Sequence, residues 1–81
     1  MAMGFENIKL ELIRSMNEQD FDYVEGLVEV ETYISEYLLI YGHELTSFIS
    51  EELDGSRQHL RIWCQDVVYQ RSYYMEFTVY Q

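Results

Sequence analysis

The chain has 81 residues and a mass of 9.8 kDa; 48% of it is apolar and 16% aromatic, with no proline and one cysteine, Cys64. This excludes a disulfide scaffold and argues against a disordered acidic tail, which would be poor in aromatics. It also excludes a membrane-spanning helix, because the longest wholly apolar run is Tyr37 to Tyr41 and a span needs about 20 residues. Fifteen acids against five bases give a net charge of −10, or roughly one uncompensated charge per 500 Å² of the surface expected at this mass. Self-repulsion on that scale destabilises a compact state.

Phe5, Ile8, Leu12 and Met16 recur at helical spacing and predict a first helix over residues 5–17. The stretch from Met1 to Glu6 has no basic patch, so no signal peptide is expected. Asn17 to Asp20 reads as a polar turn with Asp20 as a helix N-cap. Residues 21–33 fit two patterns. As a helix, Val24, Leu27, Val28 and Ile34 share a face; as a strand, Val28, Val30 and Thr32 alternate with Glu29, Glu31 and Tyr33. Gly26 weakens the helix and the β-branched residues favour a strand over 27–33. Ile34, Leu38, Tyr41, Leu45, Phe48, Ile49 and Leu53 then predict a helix over 34–53, with Gly42 at its middle and Gly55 as its C-cap. Residues 57–69 also read both ways, and a strand pairing with the alternating segment 73–80 is preferred. The expected fold is α+β: a small single domain over 1–81 with an N-terminal helix, a central acidic helical segment and a C-terminal antiparallel β-hairpin.

The charge is concentrated. Residues 1–14 are neutral overall and residues 57–81 carry +1. Between Ser15 and Ser56 there is no Lys or Arg, only Glu18, Asp20, Asp22, Glu25, Glu29, Glu31, Glu36, Glu44, Glu51, Glu52 and Asp54. A solvated helix face usually alternates signs. An unbroken acidic stretch either keeps a Tyr-rich domain soluble or meets a basic partner. On a helix over 18–29, Glu18, Asp22, Glu25 and Glu29 would share one face at steps of roughly 4.5–6 Å, comparable to a phosphate ladder, with Glu36, Glu44 and Glu51 continuing the row. Carboxylates accept paired hydrogen bonds from Arg as phosphates do. The expected function is therefore a non-enzymatic DNA mimic, of anti-restriction or anti-CRISPR type, that fills the basic groove of a nucleic-acid-binding protein through these eleven acids. Direct nucleic-acid or membrane binding is not expected. The alternative is an antitoxin- or immunity-type module that binds a basic partner without resembling DNA. Tyr23, Tyr33, Tyr37 and Tyr41 are either interface anchors or core-capping residues.

Other chemistry is poorly supported. Asp20, Asp22 and Glu31 match positions of a calcium loop, but Glu25 stands where that loop needs glycine. His43, His59 and Cys64 fit no zinc spacing, and Cys64 within Arg61-Ile62-Trp63-Cys64 reads as a buried apolar residue rather than a nucleophile. No enzyme activity, metal or cofactor is expected, and the chain reads as cytoplasmic. Residues 72–81 hold one charge, Glu76, and four Tyr. As an edge strand they would suit a homodimer, and the opposing expectation is a strand inside the sheet.

Overall fold

The structure is a computed structural model that describes residues 4–80. Two helices, α1 (Phe5–Glu18) and α2 (Leu27–Ile40), precede three strands, β1 (His43–Asp54), β2 (Arg57–Asp66) and β3 (Ser72–Tyr80). The strands form an antiparallel sheet in the order β1-β2-β3. β3 is therefore an edge, not a strand inside the sheet. α1 packs over β3 and α2 over β1, and the buried side chains of both helices and of β2 and β3 form one core. The α+β class, the N-terminal helix and the C-terminal hairpin agree with the sequence.

α1 buries Ile8, Leu12 and Met16, four residues apart along one stripe. Its start is held where Phe5 stacks on Tyr73 at 4.6 Å. Its end is held where the Tyr80 amide donates to Asn17 Oδ1 at 3.1 Å. α1 thus spans the length of β3.

The centre of the chain departs from expectation twice. Residues 27–33 are helical, not extended, because Val30, Ile34 and Leu38 make a buried stripe of α2 that outweighs the local β-branched preference. Asp20 caps nothing. The N-cap is Gly26, whose amide donates to the Asp22 carbonyl at 2.9 Å. A Cβ on Gly26 would lie 2.8 Å from that oxygen, so this tight entry requires glycine.

The second departure is that the helix stops at Ile40 and the chain reverses through Tyr41 and Gly42 into a strand. Gly42 has φ +81°, a left-handed geometry that costs other residues about 1–2 kcal/mol. Gly55, expected as a helix C-cap, lies in the β1–β2 turn instead. The helical look of 43–53 comes from bulges. Leu45 pairs with Cys64 and Phe48 with Ile62, so both face the helices although they are three apart, because the register shifts between Leu45 and Ser47. One extra residue in a strand turns a spacing of two into three, which imitates a helical stripe.

β2 alternates as a strand with one covered face. Gln58, Leu60, Ile62 and Cys64 are buried, while Arg57 and Arg61 are exposed. The β2–β3 turn is tight: Asp66 Oδ1 accepts the amides of Val68 and Tyr69, both at 2.8 Å.

Tyr23 anchors the α1–α2 connection in the core. Burial pushes its phenol up to about 12, and its hydroxyl meets no partner among the described residues. Tyr23→Phe is expected to stabilise the fold, because a buried hydroxyl without a partner costs about 1–3 kcal/mol. Thermal unfolding followed by circular dichroism checks this: the midpoint should rise by about 4 °C or more.

Candidate acidic interaction surface

All eleven acids of the cation-free stretch are exposed. Glu18 ends α1; Asp20, Asp22 and Glu25 lie in the connection; Glu29, Glu31 and Glu36 are on α2; Glu44, Glu51, Glu52 and Asp54 are on β1. The single-helix stripe expected from Glu18, Asp22, Glu25 and Glu29 does not form, because residues 19–26 are not helical. Glu44 and Glu51 are on a strand and do not continue such a row. Glu29 and Glu36 do share a face of α2, seven residues and roughly 10 Å apart along its axis.

The topology supplies a different grouping. α2 packs on β1, its successor in the chain. The cation-free stretch therefore forms the β1 side of the fold, but its carboxylates point both ways. Glu44, Glu51 and Asp54 are in register with Gln65, His59 and Arg57 on the open face of the sheet, whereas Glu29, Glu31 and Glu36 belong to the helix layer on the opposite face. The bases belong to other elements, Lys9 and Arg14 to α1, Arg57 and Arg61 to β2 and Arg71 to the β2–β3 turn, although Arg57 and Arg61 stand directly across from Asp54 and Ile49 of β1. An asymmetry along the chain becomes an asymmetry across the fold because consecutive elements are neighbours.

Within that side the carboxylates thicken at one end. The Tyr80 amide is bonded to Asn17 near the end of α1, and Tyr80 is paired in register with Arg57. The end of α1, the connection that follows it and the tip of the β1–β2 hairpin therefore lie at the same end of the sheet. This end carries Glu18, Asp20, Asp22, Glu25, Glu29, Glu51, Glu52 and Asp54. Residues 51–57 are all exposed, so the hairpin tip stands out from the core. Glu31 and Glu36 extend the acidic side along α2, where with Thr32, Ser35 and Leu45 they line a groove of about 340 Å³. Glu44 lies at the opposite end of β1.

Few of these charges are neutralised. Among the described residues, Asp54 is the one member of the eleven in an ion pair, with Arg57 at 2.8 Å. The Ser56 amide, Arg57 and the Ser56 hydroxyl hold the Asp54 carboxyl down at about 2. The amides of Glu25 and Val24 lower Asp22. Asp54 therefore stays ionised well into acid, and both carboxylates fix turns through the backbone amides they accept.

The tyrosines divide. Tyr23 is buried and is no surface anchor. Tyr33, Tyr37 and Tyr41 are half-buried in a row of ring contacts that starts from Phe21, and Tyr33 shares a hydroxyl hydrogen bond with Ser15. This row seals the join between the helices. Burial pushes the Tyr37 phenol up to about 12, with the hydrogen bond it donates to Tyr41 adding to it.

The open face of the sheet was not singled out in the sequence. It carries Trp63 against Tyr74, with ring centroids 5.0 Å apart, and His59 bonded to Glu76 at 2.8 Å. The alternation of Arg57, His59, Arg61 and Trp63 with the buried residues of β2 is the signal that marks it. Cys64 faces the core, and burial pushes its thiol up to about 11. His59 projects from the opposite face of β2, so the two do not form a nucleophile–base pair. Among the described residues, no group of His, Cys, Asp and Glu is arranged to hold a metal ion, and no helix is long and apolar enough to cross a membrane.

Comparison with family models, curated proteins and solved structures finds no match to this chain.

Proposed function

We propose that this protein is a non-enzymatic acidic binding protein that occupies the basic DNA-binding groove of a nuclease or another DNA-binding protein, as a DNA mimic of anti-restriction or anti-CRISPR type. The observation that supports the reading is that the exposed acids of α2, β1 and the connection 19–26 sit on neighbouring elements that contain no Lys or Arg, around the β1 side of the fold. A groove that grips phosphates is lined with Lys and Arg. A surface on which carboxylates far outnumber cations meets such a groove with few like-charge contacts, which cost several kcal/mol elsewhere. The long dimension of the molecule is 39 Å, close to the roughly 34–36 Å of one duplex turn. The free edge of β3 leaves room in this reading for a two-fold homodimer with two such sides.

Competition tests it. Increasing amounts of the protein are added to labelled duplex DNA bound to a basic nuclease or repressor at about 50 mM salt. Displacement is expected for at least one such protein, independent of DNA sequence, and weakening steeply as salt is raised. Failure to displace DNA from any of a panel of basic DNA-binding proteins at low salt overturns the reading.

The antitoxin- or immunity-type alternative has one observation in its favour. Val28 and Ile40 on α2 are 79% and 76% exposed among the acids. Apolar side chains set among charges suit a specific interface with a few dominant residues. That reading expects a tight complex with one partner and no competition with DNA in general.

A further inference from the structure

β1 is the longest strand, at 12 residues. β2 occupies one of its edges, and among the described residues no strand pairs with the other. An open edge presents a row of unpaired backbone N–H and C=O groups, and proteins commonly guard it with Lys, Pro or a covering segment. This one is guarded by acids, on both faces of the pleat. Glu44, Ser47, Ile49 and Glu51 register with Gln65, Trp63, Arg61 and His59 on the open face of the sheet. On the helix face, Glu31 and Glu36 of α2 wall the groove beside Leu45. Neither α2 nor β1 contains a Lys or Arg.

We propose that the free edge of β1 is the docking edge for an extended Lys- or Arg-bearing segment of a partner protein, which adds to the sheet as a fourth strand. Backbone hydrogen bonds supply the pairing, and alternate side chains supply the selectivity. Basic side chains of the added strand meet Glu31 and Glu36 on one face, or Glu44 and Glu51 on the other. The charges that attract such a segment repel a second copy, because like charges directly opposite each other across a strand pair are unfavourable. The β3 edge lacks this bias. It carries Glu76 as its one charge within Ser72–Tyr80, and α1 above it pairs Lys9 and Arg14 with Glu6 and Glu11, leaving Glu18 as its one unpaired acid among the described residues. The inference rests on the basic-partner reading above and adds the mode of engagement.

The test uses the full chain and two peptides. One is a ten-residue peptide of alternating Lys and Thr; the other has the same lysines with every Thr replaced by Pro, which cannot donate a backbone hydrogen bond. The Lys–Thr peptide is expected to bind at least tenfold more tightly and to slow amide hydrogen exchange within residues 44–51. The double variant Glu31→Lys, Glu36→Lys is expected to weaken it about tenfold or more. Exposed helix positions accept Lys as readily as Glu, so the fold is retained. Equal affinity for the two peptides, exchange protection confined to other segments, or no binding of either peptide at low salt each overturn the edge. The DNA-displacement assay decides the basic-partner reading separately, so the two failures are distinguishable.

Discussion

The triple variant Glu25→Gln, Glu29→Gln, Glu36→Gln is expected to displace DNA about 10- to 100-fold less well than the wild type at low salt, taking each exposed interface charge at about 0.5–1 kcal/mol. Glu25 belongs to the crowded acidic end, and Glu29 and Glu36 share the outward face of α2. All three are exposed, and none is in an ion pair among the described residues. Gln keeps the shape and helix propensity of Glu while the loss of charge eases self-repulsion, so the variant should unfold no earlier than the wild type. The loss is expected to be graded, with each single variant taking a share, because a mimic acts through its summed field. The dependence of potency on salt should also become shallower. A competition titration at two salt concentrations measures both. Total loss from one of the single variants, or no loss from the triple, would instead favour the toxin-partner reading, in which a few residues dominate.

The largest effect on stability is expected from Leu60→Ala. Leu60 is fully buried in the central strand, in register with Ser50 on β1 and Phe77 on β3. Truncating such a leucine costs about 2–5 kcal/mol in lost transfer energy and residual cavity. A chain of this size has only about 4–12 kcal/mol of total stability. The midpoint of thermal unfolding should fall by about 10 °C or more, and a chain at the lower end of that range would be largely unfolded at 37 °C. Val68→Ala provides the contrast. Val68 is 73% exposed in the β2–β3 turn, and its truncation is expected to move the midpoint little. A Leu60→Ala variant as stable as Val68→Ala would mean that the helices do not bury the face of the sheet described above.

The legible and illegible parts of the chain differ in a physical way. α1 was readable because Ile8, Leu12 and Met16 lie on a regular stripe, and no competing period runs through them. The hairpin of β2 and β3 was readable because burial on one face imposes an unbroken alternation from Gln58 to Cys64 and again from Tyr73 to Val79. α2 is ambiguous in the sequence because Glu29 and Glu31 alternate with the β-branched Val28, Val30 and Thr32 and imitate a strand over five positions. The helical evidence, Val30, Ile34 and Leu38, extends beyond that window. β1 was misread because the bulge near Thr46 places Leu45 and Phe48 on the same side, and a bulge leaves no mark in composition. The eleven candidate acids are exposed, but the stripe expected on one helix does not form, because residues 19–26 are not helical and Glu44 to Asp54 lie on a strand.

By itself the sequence determined the α+β class, the first helix, the terminal hairpin and the confinement of the excess charge to one uninterrupted stretch. These are local matters, set by side-chain period and by the order of residues along the chain. Only the tertiary structure decided that the two longest acidic elements pack on each other, because that depends on α2 folding back onto β1 through Gly42. It also decided that β1 is an edge and that the hairpin tip lies at the same end of the sheet as the end of α1. Those depend on which surfaces are buried against each other, a quantity set by packing over the whole chain rather than by any window of it.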